Sequence, residues 1–180
     1  YITSILKNAN SLTDIFKFYK SNYPKKQFLF SKIKKIWSGQ SFETTDLNVK
    51  KLVSFFHHVG LKKGERVFLL SSNRKEWVEF DIAIMLAGGI SVPSFVTNNI
   101  SDNKFIVKNS KPKIIIIEDE KIYKQNYDFL RNFNQKRIIC INESVNLMSY
   151  KTIISKKIKK NYLPKLNIED ISTIIYTSGT

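Results

Sequence analysis

The chain has 180 residues, and 30 Lys or Arg against 15 Asp or Glu give it a formal net charge of +15. Such a length allows one domain with a core that buries about 70% of its unfolded surface. A charge of this size is typical of proteins that bind nucleic acid or anionic membrane. Here, however, the basic residues are mainly lysines spread along the chain. Aromatic residues and arginines do not alternate as they do in a base-stacking groove. We therefore expect no nucleic-acid partner.

The first third of the chain predicts helix, hairpin and helix. Ser11 with Asp14 three positions later indicates the start of a short helix. Residues 28–36 and 41–42 predict a hairpin around the Trp-Ser-Gly-Gln sequence at 37–40. Thr44 or Thr45 is expected to cap a second helix that ends at Gly60.

From residue 60 onward, strands and helices alternate. Apolar runs predict strands at residues 66–71, 90–96, 113–118, 137–141 and 173–177. Helical spacing predicts helices at about residues 75–87, 102–109, 122–133 and 150–159. Because the strands are almost continuously apolar, we expect an α/β fold with a largely parallel sheet and helices on both faces.

Several residues in this region have a structural interpretation. The helix at 75–87 has little polar surface and should be buried, Gly88 and Gly89 should end it, and Pro93 should lie near a strand end. For Asn73, Arg74 and Trp77 we expect packing and capping, with substrate contact as the alternative.

Other reactive or charged residues also receive structural interpretations. Cys140 lies in an apolar strand and should be a core residue; a single cysteine forms no intramolecular disulfide and fits a reducing compartment. The adjacent His57 and His58 point to different sides of a helix and form no metal pair. The acids at 118–120 are expected in a solvated turn, and the lysine-rich run at 156–160 on a solvated helix face rather than a phosphate or lipid-headgroup patch. No segment reaches the length of a membrane span.

The end of the chain points to phosphate chemistry. An apolar strand leads into Thr177, Ser178, Gly179 and Thr180. Hydroxyls and backbone N–H groups can converge there on an anion, because glycine has no Cβ to block a close approach. The Walker-type loop GxxxxGK[ST] is absent, so the protein is not a P-loop NTPase.

A second block completes a family pattern. Residues 60–81 (GLKKGERVFLLSSNRKEWVEFD) are followed by MLAGGISVP at 85–93 and by Thr97-Asn98. With the Thr-Ser-Gly-Thr sequence about eighty residues later, the chain resembles the AMP-forming acyl-CoA synthetase family, which includes firefly luciferase and the adenylation domains of peptide synthetases. The phosphate loop of that family reads YTSGTTGxPKG, of which this sequence supplies Tyr176 to Thr180. The NRxEW and VPxxxTN strings are most similar to the long-chain fatty-acid branch.

The resemblance implies a ligase. ATP would activate a carboxylic acid, a long-chain fatty acid in this branch, as an acyl-adenylate. Coenzyme A would then accept the acyl group, with release of AMP and pyrophosphate. Thr177, Ser178, Gly179 and Thr180 would hold the β- and γ-phosphates with a magnesium ion. A cytoplasmic protein is expected, with peripheral association at the membrane where such fatty acids reside.

The same resemblance implies that residues 1–180 are the N-terminal portion of an AMP-binding domain, truncated within the phosphate loop. No catalytic residue is then expected in this stretch, which should be inactive alone. Adenylation of an amino or aryl acid remains an alternative, because it shares every motif present here. The non-enzyme alternative is a basic module that binds nucleic acid or membrane.

Overall fold

The computed structural model describes residue 9, residues 11–157 and residues 163–177. Helix α1 is followed by an antiparallel hairpin, a long helix and then alternating strands and helices. The elements are α1 (Leu12–Asn22), β1 (Gln27–Ile33), β2 (Ile36–Ser41), α2 (Phe42–His58), β3 (Arg66–Leu70), α3 (Lys75–Leu86), β4 (Ile90–Ser94), α4 (Ile100–Ser110), β5 (Ile114–Ile117), α5 (Glu120–Gln125), α6 (Tyr127–Leu130), β6 (Ile138–Cys140), β7 (Met148–Ser149) and α7 (Tyr150–Ser155).

The central sheet has the strand order β4-β3-β5-β6-β7, and all of its neighbouring strands are parallel. Successive residues of its strands pack on opposite faces, as the period of two requires. Val67 and Leu69 belong to a core formed with α2, α3 and α7, whereas Phe68 and Leu70 belong to a core formed with α4 and α6. The predicted α/β fold with helices on both faces is therefore confirmed.

Both predicted helix-ending glycines take up left-handed backbone conformations. Gly60 has φ +81° and follows α2, and Gly88 has φ +79° and follows α3. After α3, Gly88 N–H donates to Met85 O at 2.9 Å and Gly89 N–H donates to Ile84 O at 2.8 Å. This is the Schellman arrangement that returns the chain toward a strand. Helix α3 is also largely buried, as expected.

The N-terminal cap of α2 differs from the prediction. Ser41 is the capping residue, and its Oγ accepts a hydrogen bond from Thr44 N–H at 3.2 Å. The predicted caps, Thr44 and Thr45, both lie inside the helix, where the Thr45 hydroxyl donates to the carbonyl of Ser41 at 2.9 Å. The helix therefore begins a few residues earlier, and its first residue, Phe42, joins the core.

The predicted hairpin forms, but its predicted turn is wrong. The turn lies at Lys34 and Lys35, with Ile33 and Ile36 as the last cross-strand pair. Residues 37–40 lie within β2, where Gly39 faces Phe30 across the ribbon. Two lysines with positive φ therefore make the turn, and Gly39 is a strand residue.

The predicted helix at 122–133 is divided into α5 and α6. The division falls at the buried Asn126, whose side-chain amide donates to Ile122 O at 2.9 Å. Asparagine competes with the helical backbone in this way. The last predicted helix ends at Ser155, and residues 158–159 of that prediction lie outside the described residues.

The predicted strand at 173–177 is reduced to one bridge, between Ser91 and Thr173. Ser91 N–H donates to Ser172 O, and Ile174 N–H donates to Ser91 O, both at 2.9 Å. Alternate residues of a strand bond to the same side, so the next donor on this side of β4 would be residue 93. Pro93 has no N–H, so the ladder cannot continue in register. Among the described residues, no helix combines the length and apolar content needed to cross a bilayer.

Candidate functional site

The described end of the chain runs along the outer side of β4. Since the bridge between Ser91 and Thr173 is parallel, residues 174–177 lead toward the edge of the sheet at which β4 ends. The carboxyl ends of parallel strands meet at one edge, and ligands of open α/β sheets bind outside that edge. The predicted phosphate loop therefore follows a segment that runs toward the edge where this class of fold binds ligands.

Tyr176 fixes this segment onto α4. Its hydroxyl donates to Asn109 Oδ1 at 2.5 Å, and its ring meets that of Phe105 edge to face, with 6.2 Å between centroids. Ile174 and Tyr176 both pack against the core on this face of the sheet. Thus side chains, rather than a continuous strand ladder, hold the approach to the predicted loop.

Of the four predicted phosphate-binding residues, the structure describes Thr177, which is exposed. Ser178, Gly179 and Thr180 lie outside the described residues. Its hydroxyl can donate and accept hydrogen bonds, and its role as a phosphate ligand stays a prediction.

A group of buried polar side chains supports the loop that follows β4. Ser94 Oγ lies 2.7 Å from Asn103 Oδ1 and accepts a hydrogen bond from Asn98 Nδ2 at 3.0 Å. Asn103 Nδ2 donates to Asn126 Oδ1 at 3.5 Å. These bonds tie β4, its following loop and α4 to the α5–α6 junction. This group was not predicted from the sequence, where the recurrence of asparagine at positions with core spacing was the signal for it.

The loops after β3 and β5 are joined through Glu118. Its Oε2 accepts hydrogen bonds from Ser72 N–H and Ser72 Oγ, both at 2.6 Å, and from Ser71 Oγ at 3.2 Å. Burial acts to raise the pKa of Glu118, but these hydrogen bonds and the Arg74 charge bring the pKa below its ordinary value. The carboxylate is therefore ionised at neutral pH and holds the two loops together.

The three acids after β5 are partly exposed, as expected of a solvated turn, but each of them also has a protein partner. Asp119 accepts a hydrogen bond from Ile122 N–H at 2.9 Å and caps α5. Glu120 accepts one from Ser144 Oγ at 2.6 Å. The cap made by Asp119 is a local contact, whereas Ser144 lies 24 positions after Glu120 and could not be predicted from the local sequence.

Arg74 lies at the same edge and connects two loops. Its Nε pairs with Glu76 Oε2 at 2.8 Å, and its Nη1 donates to Asn142 Oδ1 at 2.9 Å. Trp77 is partly buried against the core beneath α3. These contacts agree with a packing role, although the Arg74 side chain forms no capping hydrogen bond with α3.

The other reactive side chains are placed as structural residues. Cys140 is fully buried, and burial raises the pKa of its thiol to about 11, which removes it as a nucleophile at neutral pH. His57 is partly buried, and burial lowers its pKa. Within the part of the chain that the structure describes, no three His, Cys, Asp or Glu residues form a group that could hold a metal ion.

A buried carboxyl group in α3 was not anticipated. Glu79 has no solvent exposure, and its Oε1 accepts hydrogen bonds from Gln40 Nε2 at 2.5 Å and Asn48 Nδ2 at 2.9 Å. Its Oε2 accepts a hydrogen bond from the Tyr150 hydroxyl. Burial raises the pKa of Glu79, and the three hydrogen bonds oppose that shift. The group joins the hairpin, α2, α3 and α7 on the face of the sheet away from α4.

Comparison with known proteins gives a family match. The model of the AMP-binding enzyme family matches residues 18–180. The long-chain-fatty-acid–CoA ligase ACSBG2 of Rattus norvegicus is 25% identical over 168 residues, which cover 84% of this chain and 25% of that protein. The chain thus spans about a quarter of the length of this curated relative.

Two solved structures share the fold. A long-chain-fatty-acid–CoA ligase from Archaeoglobus fulgidus superimposes with a TM-score of 0.81 at 22% identity, covering 95% of this chain and 35% of that one. The anthranilate–CoA ligase AuaEII, determined with anthranoyl-AMP, has the same TM-score at 20% identity, with 95% and 32% covered. These likenesses establish the α/β fold and leave the choice of acid open.

Proposed function

Because the chain belongs to the AMP-binding enzyme family, we propose that the full-length protein is an ATP-dependent acyl-CoA ligase. A carboxylate resists nucleophiles because of its charge, and oxide is a poor leaving group. Transfer to the α-phosphate of ATP, with release of pyrophosphate, produces an acyl-adenylate that a thiol can attack. Coenzyme A would be the acceptor, and AMP the second leaving group. Residues 1–180 would form the N-terminal portion of the AMP-binding domain.

The proposed role of this part of the chain is to bind the departing pyrophosphate. Thr177, Ser178, Gly179 and Thr180 would donate hydroxyl and backbone N–H hydrogen bonds to the β- and γ-phosphates. A magnesium ion, when bound, would share the phosphate charge. The single observation that carries this proposal is the course of residues 172–177, which follow β4 toward its carboxyl end and leave Thr177 exposed. The Tyr176 contacts with α4 would limit the movement of the loop.

For the acid, we propose a long-chain fatty acid. The Asn-Arg-Lys-Glu-Trp sequence at 73–77 and the relative from Rattus norvegicus favour that substrate. An aryl acid is the second candidate, favoured by the fold shared with the anthranilate ligase. We further propose a cytoplasmic enzyme that associates peripherally with membranes, since its substrate would be concentrated there.

A substrate panel tests the proposed reaction. The full-length protein, ATP, magnesium and coenzyme A are incubated with palmitate, acetate, benzoate or an amino acid, and AMP release is measured. Palmitate should give the fastest release. Faster release with benzoate or an amino acid would replace the substrate but keep the chemistry, whereas no response to any carboxylate would refute the ligase assignment.

The proposed phosphate site has its own test. Thr180→Val removes one hydroxyl at nearly constant volume, so it should slow pyrophosphate exchange by roughly a hundred- to a thousandfold, as expected for one donor to developing charge. Thr173→Val, at the bridge with Ser91, is the matched control and should exchange pyrophosphate at close to the wild-type rate. Equal rates for wild type and Thr180→Val would place the phosphate elsewhere.

A further inference from the structure

The hairpin of β1 and β2 projects from a fixed base and ends in exposed apolar side chains. At the base, the ring of Phe28 stacks on that of Phe42 with 4.4 Å between centroids, and Gln40 bonds to buried Glu79. Beyond the base, Phe30, Ile36 and Trp37 are 58%, 72% and 66% exposed. We refer to residues 30–39 as the hairpin tip. Three large apolar side chains exposed so close together indicate a contact surface.

The apolar side chains lie on both faces of the ribbon. Lys32 pairs with Trp37 and Phe30 pairs with Gly39, so Phe30 and Trp37 share one face. Ile36 is one residue from Trp37 and therefore lies on the other face. A flat protein partner would cover one face of the ribbon, whereas a tip that enters a soft layer would be covered on both. The arrangement favours a lipid surface.

The charges of the hairpin match an anionic surface. No Asp or Glu occurs between residues 15 and 42. Five exposed lysines flank the apolar side chains: Lys25, Lys26, Lys32, Lys34 and Lys35. The Nζ of Lys32 lies 5.8 Å from the centre of the Trp37 ring, so a cation and an interfacial aromatic residue share one position. Tryptophan and lysine together are typical of the boundary between headgroups and acyl chains.

Both residues of the hairpin turn are lysines, although their backbone conformation is one that lysine disfavours. Lys34 has φ +47° and Lys35 has φ +69°, as in the two-residue turn that favours Asn-Gly. Positive φ is unfavourable for lysine, because its Cβ approaches the backbone carbonyl. Two lysines at the outermost point of the hairpin therefore indicate a role for their charges beyond forming the turn.

We propose that the hairpin tip docks the protein on anionic lipid bilayers. Ile36 and Trp37 enter the headgroup region, and Lys32, Lys34 and Lys35 contact lipid phosphates. The proposal rests on the proposed function only for its purpose, which is to bring the enzyme to the surface where long-chain acids reside. The docking itself depends on the hairpin alone.

The test uses the full-length protein and sedimentation with vesicles of phosphatidylcholine containing about one-third phosphatidylserine, a composition with a strong negative surface potential. Lys34→Asn/Lys35→Gly removes two charges and supplies the preferred turn pair. It should weaken vesicle binding by roughly tenfold or more, while the melting temperature stays equal or rises. Lys104→Gln/Lys108→Gln, on the exposed side of α4, removes the same charge elsewhere and should change binding by less than about threefold.

A second variant tests the apolar contribution. Ile36→Ser/Trp37→Ser should abolish the binding that remains at high salt, where charge attraction is screened. Failure of the wild-type protein to sediment, or equal losses for the two lysine pairs, would overturn the proposal. A change in oligomeric size caused by Ile36→Ser/Trp37→Ser, without a change in vesicle binding, would assign the tip to a protein partner instead. AMP release with a soluble medium-chain acid should be unchanged in every variant, so a failure of docking is distinguishable from a failure of the ligase assignment.

Discussion

Tyr150→Phe should destabilise the protein by an amount that depends on the ionisation of Glu79. Tyr150 is 8% exposed, and its hydroxyl donates to a carboxylate with no solvent exposure. Burial raises the pKa of the Tyr150 hydroxyl, so it remains a donor throughout the accessible pH range. A hydrogen bond to a charged group contributes about 1.5–3 kcal/mol, and the loss should approach this value once the pH is high enough to ionise Glu79. Phenylalanine fills the same space, so no cavity contributes.

The pH dependence follows from the raised pKa of Glu79. Its protonated form is favoured in the folded state, so the stability it contributes is complete below the unfolded pKa. That contribution falls as the pH rises through the folded pKa and is constant above it. Tyr150→Phe removes a bond that favours the ionised form, so it raises the folded pKa further. The loss caused by Tyr150→Phe should therefore be smallest at acid pH and increase to its plateau as Glu79 ionises.

Urea unfolding measures the free energy of unfolding of each variant. It is followed by circular dichroism and by tryptophan fluorescence, and coincident transitions from the two probes validate a two-state analysis. The matched background is Glu79→Gln, in which the tyrosine meets a neutral amide. There Tyr150→Phe should cost only about 0.5–1.5 kcal/mol. A loss below about 0.5 kcal/mol throughout the pH series, or equal losses in the two backgrounds, would show that Tyr150 does not bond to an ionised carboxylate.

Three further predictions concern single positions. Gly88→Ala should lower the urea midpoint more than Gly60→Ala, and equal midpoints would contradict this. Both glycines have φ near +80°, but only at Gly88 would the new Cβ meet a neighbouring proline ring, at 2.8 Å. Cys140 should resist iodoacetamide at pH 8 until the protein unfolds, because burial raises its pKa to about 11. Rapid labelling of Cys140 in the native protein, located by peptide mass spectrometry, would argue against its burial. Tyr176→Phe should slow pyrophosphate exchange by about two- to tenfold, the equivalent of one neutral hydrogen bond, and an unchanged rate would remove its role in positioning the loop.

The sequence was sufficient for the features that depend on local periodicity and backbone conformation. The near-continuous apolar strand at 114–117 indicated a parallel sheet, and Gly60 and Gly88 correctly marked two helix ends. The hairpin turn was misplaced because Gly39 is a stronger turn signal than two lysines. At Gly39 a Cβ would meet only the end of the exposed Gln27 side chain, 2.5 Å from its Oε1, and that side chain can move aside.

Features that depend on distant partners were not predictable. Glu79 acquires its three donors from the hairpin, α2 and α7, residues between 31 and 71 positions away in the chain. Glu118 likewise bonds to serines 46 and 47 positions earlier. The predicted phosphate residues came from a motif, so their assignment did not depend on the fold, and for Thr177, Ser178, Gly179 and Thr180 alike it remains a prediction.

The proline in β4 determines how the end of this segment can move. Since Pro93 cannot donate on the outer side of its strand, Thr177 can shift without breaking a backbone bond to β4 beyond those at Ser91. A displacement of the chain around Thr177 therefore need not disturb the strands of the sheet. Beyond the bonds at Ser91, residues 174–177 are held by the packing of Ile174 and Tyr176 against the core and by the two contacts of Tyr176 on α4. In the ligase that we propose, ATP entry and pyrophosphate release would then move this segment without disturbing the strands of the sheet.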